Sequence, residues 1–261
     1  METKVLKQSI LTILIFVASQ MLFGLAAQPF QLMFGSTFGN TIVLLTVASG
    51  IVSILLSSLF FHNIDFKESI RIHAKMDKKN IFLCVTAIVG ALCGIFATNI
   101  MSEFINLPDL MEDQFIDMSK SITGMIGIGI IAPIIEEYIF REAVEGQMLR
   151  SSIKPWKAIL ISACAFGLIH FNPAQVPFAV IVGIILGILY YKTRNILLCS
   201  IVHIINNSTA IVQMSIYGEY SKDIRLTDML GGAEPALCYM IISGIVCIYF
   251  LRRCFSRYTT S

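Results

Sequence analysis

Long runs of apolar residues, separated by short polar segments, make up most of this chain. Runs of about twenty apolar residues are long enough to cross the hydrocarbon core of a bilayer as helices. Eight such runs are predicted, over residues 8–29, 40–61, 81–100, 121–149, 158–171, 175–191, 195–217 and 235–251. The fifth run is short, but the surrounding topology favours a crossing. The pattern therefore predicts an all-α fold, a polytopic integral membrane bundle of about eight transmembrane helices in one domain over 1–261.

The composition excludes several other classes of protein. Hydrophobic residues make up 56% of the chain and charged residues 14%, whereas a soluble domain has about a quarter of its residues charged. Disordered chains are polar and highly charged, so disorder is excluded. Seven cysteines in 261 residues, none in a C-x-x-C pair, are too few for a disulfide scaffold and fit small buried hydrophobes. The net charge of +2 gives no indication of a nucleic-acid partner, and none is expected.

The basic residues predict an orientation in the cell membrane. Fifteen of the nineteen Lys and Arg residues fall in the N-terminus, 62–80, 150–157, 192–194 and the C-terminus. Only Lys120, Lys222 and Arg225 fall in the alternate loops, and Arg141 lies within a span. Cytoplasmic loops carry an excess of Lys and Arg. We therefore expect both termini in the cytoplasm and the loop 101–120 outside. The first apolar run is long for a cleaved signal peptide, so we expect it to be retained.

Ionisable residues inside the apolar runs are the most informative ones, because a charge in the bilayer costs at least ~2.5–3.5 kcal/mol. They are concentrated in the fourth run, with one histidine in the fifth and one in the seventh: Glu136, Glu137, Arg141, Glu142, Glu145, His170 and His203. Asn207 follows His203 by one helical turn. A lone histidine in a membrane is often only hydrogen-bonded to a neighbouring helix. Hydrogen bonding to a neighbouring helix explains several polar groups on three helices less well than it explains one.

Helical geometry divides these residues into two groups. Glu137, Arg141 and Glu145 are spaced to share one face of an α-helix, so we expect Arg141 to pair with both carboxylates as a structural support. Glu136 points about 100° away from Glu137 and does not easily share its partner, so it is available for a role other than structural support. Counted from the basic residue that anchors each span, Glu136, His170 and Asn207 all lie at roughly 20 Å, and His203 one turn shallower.

A carboxylate and an imidazole can together take a proton from water, and a second imidazole with a carboxamide can stabilise an oxyanion. Because the sequence has no convincing nucleophile motif, water is the expected attacker and amide hydrolysis the expected reaction. The sequence lacks the H-E-x-x-H zinc motif and the G-x-S-G serine site. No Asp lies in a predicted span, which excludes a paired-aspartate protease.

Three motifs occur in order along the chain. They are E-E-x-x-x-R at 136–141, F-x-x-x-H at 166–170 and H-x-x-x-N at 203–207. In this order and within apolar spans, they resemble the CAAX protease and bacteriocin-processing (Abi) family. The resemblance covers about 121–217, and the other spans carry no family signal.

The resemblance implies an all-helical intramembrane endopeptidase whose cavity opens to the cytoplasm. It implies that Glu136 and His170 activate water, and that His203 and Asn207 stabilise the oxyanion. It also implies that Glu137, Arg141 and Phe166 support the site. The family is described both as metal-free, glutamate-dependent proteases and as metalloproteases. If zinc is used, its ligands would be Glu136, His170 and His203, although we favour the metal-free case.

The expected substrate is a membrane-associated peptide or lipidated protein, cleaved near its C-terminus or leader. Two other classes of function are compatible with the sequence. One is a non-catalytic membrane scaffold or immunity factor with the same fold. The other is a transporter whose Glu and His residues relay protons, although the repeated halves common in transporters are not visible.

Overall fold

The computed structural model describes residues 2–34, 39–65, 67, 78–105 and 107–258, and in these ranges the chain forms helices and connections without a strand. The helices are α1 (Glu2–Phe34), α2 (Gly39–Phe61), α3 (Lys78–Glu103), α4 (Glu112–Ser119), α5 (Ile122–Leu149), α6 (Pro155–Leu168), α7 (Val176–Thr193), α8 (Ile196–Tyr217), α9 (Leu226–Met229) and α10 (Ala233–Tyr258). A short 3₁₀ segment, Gly218–Lys222, follows α8. The prediction of an all-α polytopic bundle is confirmed.

Within the described residues, seven helices are long and apolar enough to cross a membrane: α1, α2, α3, α5, α7, α8 and α10. The fifth apolar run, which is short in the sequence, forms α6, and this helix has only 14 residues. At 1.5 Å per residue it is about 21 Å long, shorter than a bilayer core of about 30 Å. The helix ends at Leu168, before the left-handed residue Phe171 and the Asn172-Pro173 turn, so His170 lies in a turn rather than in a span.

The connection after α6 nevertheless reaches the same side of the bundle as the end of α3. Ala174 donates its N–H to the carbonyl of Pro108 (3.2 Å), and the Asn172 side chain bonds both Leu110 N–H (3.1 Å) and Asp109 (2.8 Å). The carboxylate of Glu103 accepts the N–H groups of Leu226 and Thr227 at 2.6 and 2.7 Å. We call the end of α3 with residues 107–120, 169–175 and 218–232 the acidic face.

The opposite ends of the helices form a second face. Arg150 donates to the carbonyl of Asn63 (2.8 Å), and Gln147 donates to Gln8 at the start of α1 (2.8 Å). We call the start of α1 with residues 62–65, 150–157 and 192–195 the basic face. Several segments assigned to one side by their charges therefore contact one another, and so do several of those assigned to the other side.

Helix α5 is the centre of the bundle and contacts α1, α2, α6 and α8. Two stretches of it are π-helical, Gly127–Ile131 and Tyr138–Gly146. Such i→i+5 segments occur often at functional sites. The residues that carry the charged side chains of α5 therefore lie in or beside an irregular stretch of helix, not in a regular α-helix.

Candidate active site

His203 on α8 lies between two carboxylates of α5. Its Nδ1 is 2.9 Å from Glu137 Oε1, and its Nε2 is 3.6 Å from Glu136 Oε2. The side chain of Glu136 is 18% exposed, whereas that of Glu137 is fully buried. Helical geometry predicts that these two neighbouring glutamates point in different directions, but both of them contact the same histidine. Glu136 is the carboxylate of this pair that solvent can reach.

The count of residues predicts that His203 lies one turn shallower than Glu136. The structure does not agree with this prediction. The contact between the two side chains places them at the same level. The count assumed an α-helical rise between Glu136 and Arg150, but Tyr138–Gly146 is π-helical. A π-helical stretch has more residues per turn and advances less along the axis per residue. The assumed depth of Glu136 was therefore too large.

Arg141 forms an ion pair with Glu137, as the i, i+4 spacing predicts. Its Nε is 3.1 Å from Glu137 Oε2, and both side chains are fully buried. Arg141 also donates to Ser162 Oγ (3.3 Å), which in turn donates to the carbonyl of Phe140 (2.7 Å). A buried charge needs such partners because an unpaired one is costly. The guanidinium thus fixes Glu137, and through it His203.

Glu145 does not pair with Arg141, which corrects the expected chain of three charges. Its side chain is fully buried, and neither carboxylate oxygen has a hydrogen-bond partner within the described part of the chain. One oxygen lies 2.8 Å from the position that a Cβ on Gly187 would occupy. The i, i+4 alignment holds for α-helix, but residues 138–146 are π-helical, so Glu145 is turned toward α7 instead.

Phe166 on α6 links the two histidines. Its ring meets those of His170 and His203 edge to face, with centroids 5.1 and 5.6 Å apart. The Arg141 guanidinium lies 5.1 Å from the same ring, a cation–π distance. The side chain of Phe166 is 2% exposed, so it holds these groups in place by packing.

The tautomer of His170 follows from its hydrogen bond. Its Nδ1 is 2.8 Å from the carbonyl oxygen of Phe166. A carbonyl only accepts, so Nδ1 carries a proton and donates it, and in the neutral ring Nε2 then has a free lone pair. In that neutral form His170 presents the acceptor that is required for taking a proton from water.

Asn207 joins α8 to the first π-helical stretch of α5. Its Nδ2 donates to the carbonyl of Ile128 (3.4 Å), and Ser208 donates to the carbonyl of Gly129 (3.1 Å). A Cβ on Gly129 would lie 3.0 Å from Ser208 Oγ, so glycine permits this close approach. Asn206 donates to Asn207 Oδ1 at 3.1 Å. Asn207 has two N–H groups and can hold the helix with one of them while it offers the other to a ligand.

These residues meet at one cavity of about 1050 Å³. Glu136, His170, His203, Asn207 and Phe166 line it, whereas Glu137 and Arg141 lie behind its wall. The volume is at the upper limit of the ~300–1,000 Å³ found for small-molecule pockets. The structure therefore brings together the four side chains predicted to be catalytic, together with Phe166.

The described residues contain no group of three or more His, Cys, Asp or Glu side chains that could hold a metal ion. Glu136 and His203 are neighbours, and Nδ1 of His170 is bonded to the carbonyl of Phe166. The zinc ligand set of Glu136, His170 and His203 stays a prediction, which alanine substitutions of the two histidines test.

Two features of the site have no signal in the sequence. On the basic face, Glu142 accepts hydrogen bonds from Tyr190 and from Arg150 (2.8 Å), and is 1% exposed. Beside it, Asn63 donates to the carbonyl of Ala143 (3.3 Å) within the second π-helical stretch. These contacts join residues 48 and 80 positions apart in the chain, which no local spacing reveals.

Comparison with known proteins places the similarity in the segment that carries this site. No curated protein and no solved structure matches the chain. One family model matches residues 118–209, from the end of α4 to beyond Asn207 on α8. Its description is type II CAAX prenyl endopeptidase Rce1-like. All three motifs lie inside the match, which confirms that this chain resembles the CAAX protease and bacteriocin-processing family.

Proposed function

We propose that this protein is an intramembrane endopeptidase that hydrolyses a peptide bond of a membrane-associated peptide or protein with an activated water molecule. The observation that carries the proposal is the meeting of Glu136, His170 and His203 in one cavity, with Glu136 accessible to solvent. The similarity of residues 118–209 to a prenyl endopeptidase family supports a protease of this kind. The apolar helices, long enough to cross a membrane, support a reaction within the membrane.

The first step forms the bond between water and the carbonyl carbon. Glu136 takes one proton from water as the oxygen attacks, and the lone pair on His170 Nε2 accepts a second hydrogen bond that orients the nucleophile. General-base catalysis of this kind contributes about 10²–10⁴-fold. Both groups line the same cavity, so a water molecule bound there could contact both of them.

The carbonyl oxygen becomes an oxyanion in this step and needs donors. Asn207 offers its second N–H, and His203 donates from Nε2 when that atom carries a proton, while Glu137 holds the Nδ1 side of the ring. The tetrahedral intermediate then collapses, the C–N bond breaks, and Glu136 returns its proton to the departing amine nitrogen. No metal is needed to balance this sequence.

We also propose that both termini are cytoplasmic and that the protein lies in the cell membrane. A reporter fused after Ser261 should be active in the cytoplasm, and a reporter inserted within 101–120 should be active only outside. The distribution of fifteen basic residues on one side supports this orientation. The opposite location of either reporter would contradict it.

The central test compares membrane peptides from cells with the wild-type protein and with Glu136→Gln. Mass spectrometry should find peptide ends that are present with the wild type and missing with the variant. Glu234→Gln makes the same chemical change at an exposed position on α10 and should leave the peptide ends unchanged. If the wild type and Glu136→Gln give the same ends while both are present in the membrane, the protein is a scaffold or a transporter instead.

A further inference from the structure

The cavity extends from the candidate active site toward one side of the bundle only. Its lining residues come from the N-terminal parts of α2, α5 and α7 and from the C-terminal parts of α3 and α8. The ends of α3 and α8 and the starts of α5 and α7 adjoin the acidic face, and α2 contacts α4 and the start of α5. The remaining wall comes from α1, α4, α6 and the connections before α4, α7 and α9, and includes Asp109, Gln114, Gln175 and Arg225.

On the other side of the active site, the bundle is closed by packed polar groups. Asn63 is 2% exposed and donates to Thr12 and Ser57, both at 3.0 Å. Glu142 is held there by Tyr190 and Arg150. The cavity lining includes no residue of the basic face as defined above. A peptide cannot reach Glu136 through this layer without breaking buried hydrogen bonds.

From these two observations we propose that the cavity opens to the non-cytoplasmic side of the membrane. The basic face carries seven Lys and Arg residues and the acidic face three, and an excess of Lys and Arg is the mark of a cytoplasmic side. The open end of the cavity is therefore on the other side. This differs from the cytoplasmic opening that the family resemblance implies, since that opening and the charge distribution cannot both hold in this structure.

The opening also defines the class of substrate, on the basis of the proposed protease function. Apolar side chains form much of the cavity wall: Phe104, Ile105, Leu107, Phe115, Phe178 and Met214. Charged groups Glu103, Asp109 and Arg225 lie among them. Such a wall suits a membrane-inserted peptide whose cleavage site lies at the non-cytoplasmic end of its apolar segment. A cytoplasmic protein tail would not reach it.

Cysteine labelling in intact cells tests the side of the opening without requiring a known substrate. Ala132→Cys places a thiol on the cavity wall one turn from Glu136, and Gln114→Cys places one on its exposed part. Ser152→Cys on the basic face is the matched control. Each is treated with a membrane-impermeant maleimide, and labelling of the parent protein, with its seven native cysteines, is subtracted.

We expect Ala132→Cys and Gln114→Cys to be labelled in intact cells, and Ser152→Cys only in inverted vesicles. Labelling of Ala132→Cys only in inverted vesicles, together with Ser152→Cys, would overturn the proposal. Failure to label Ala132→Cys from either side would also overturn it, because the cavity would then not be open to water.

Cleavage sites supply the second measurement. The peptide ends that depend on Glu136 should map to non-cytoplasmic segments of their parent proteins. Ends that map to cytoplasmic segments would contradict the inference while leaving the protease function intact. A lack of any such ends, with labelling from outside, would remove the protease function and leave the side of the opening established.

Discussion

The two halves of α5 both contain glutamate, but in opposite surroundings. From Gly127 to Glu136 the helix lines an open cavity, and its carbonyls at Ile128 and Gly129 accept hydrogen bonds from α8. From Glu137 onward four charged side chains are at most 1% exposed: Glu137, Arg141, Glu142 and Glu145. Burial, rather than residue type, therefore separates a glutamate that can meet water from glutamates that hold the structure together.

The border between the halves falls between two adjacent glutamates. Glu136 is 18% exposed and Glu137 is completely covered, although both contact His203. One histidine thereby connects the open half with the closed half. A substitution on the open side should change the reaction, and a substitution on the closed side should change the folding equilibrium.

The largest expected effect comes from Glu136→Gln. The amide keeps the shape of the side chain and removes the base, so hydrolysis should fall by about 10²–10⁴-fold. The melting temperature should stay close to that of the wild type, because Glu136 is partly exposed and His203 keeps its closer contact with Glu137. Cleavage rate and thermal unfolding are measured on the same purified protein. Cleavage at a near wild-type rate would show that Glu136 is not the base.

Arg141→Ala tests the closed half. It leaves Glu137 buried without its cation, and removing one partner of a buried ion pair costs about 3–5 kcal/mol. We expect low expression or a clearly lower melting temperature, beyond any loss of activity. Lys157→Ala, which removes an exposed cation on α6, is the control and should be neutral. An equally stable Arg141→Ala protein would contradict the buried position of this side chain.

Alanine substitutions of the two histidines test the roles of these residues in the open half, and they also test for a metal. Without metal, His170→Ala should abolish nearly all activity, whereas His203→Ala should lose about 10²–10³-fold, as for one oxyanion donor. With a zinc ion bound by Glu136, His170 and His203, both variants should lose the ion and nearly all activity. Elemental analysis of the active protein decides between the two. Stoichiometric zinc that is lost with activity on chelation would contradict the metal-free mechanism.

The smallest expected effect is that of Tyr190→Phe. The variant removes the hydroxyl that donates to the buried carboxylate of Glu142, a charge-assisted bond of about 1.5–3 kcal/mol. The melting temperature should fall while cleavage by the folded protein stays near normal, because Tyr190 is on the closed side. Tyr191→Phe, at the next position and only half-buried, should have little effect. A loss of activity without loss of stability would mean that the two halves are not separate.

The sequence predicted much of the site because its signals are local. Apolar runs predicted the helices, and i, i+4 spacing predicted the Glu137–Arg141 pair. Polar groups in three apolar runs predicted a shared site, and Glu136, His170 and Asn207 line one cavity. It failed where α5 departs from α-helical geometry. The π-helical stretch turned Glu145 away from Arg141 and shortened the distance counted to Glu136.

Other features depended on contacts between distant segments. Nothing near Asn63 in the sequence shows that it bonds α1, α2 and α5 together. The partnership of Tyr190 with Glu142 is equally remote. The side on which the cavity opens depends on how the helix ends pack, which hydropathy does not record.

The short helix α6 has a consequence for the lipid beside it. A helix shorter than the hydrocarbon core is accommodated partly by local thinning of the bilayer. Leu168 and Phe171, at the end of α6, are 61% and 70% exposed and so face outward from the bundle. We expect the membrane to dip at this point, next to the turn that carries His170. A peptide bond drawn toward the cavity there has less hydrocarbon to cross, which lowers the desolvation cost of its polar backbone before any chemistry begins.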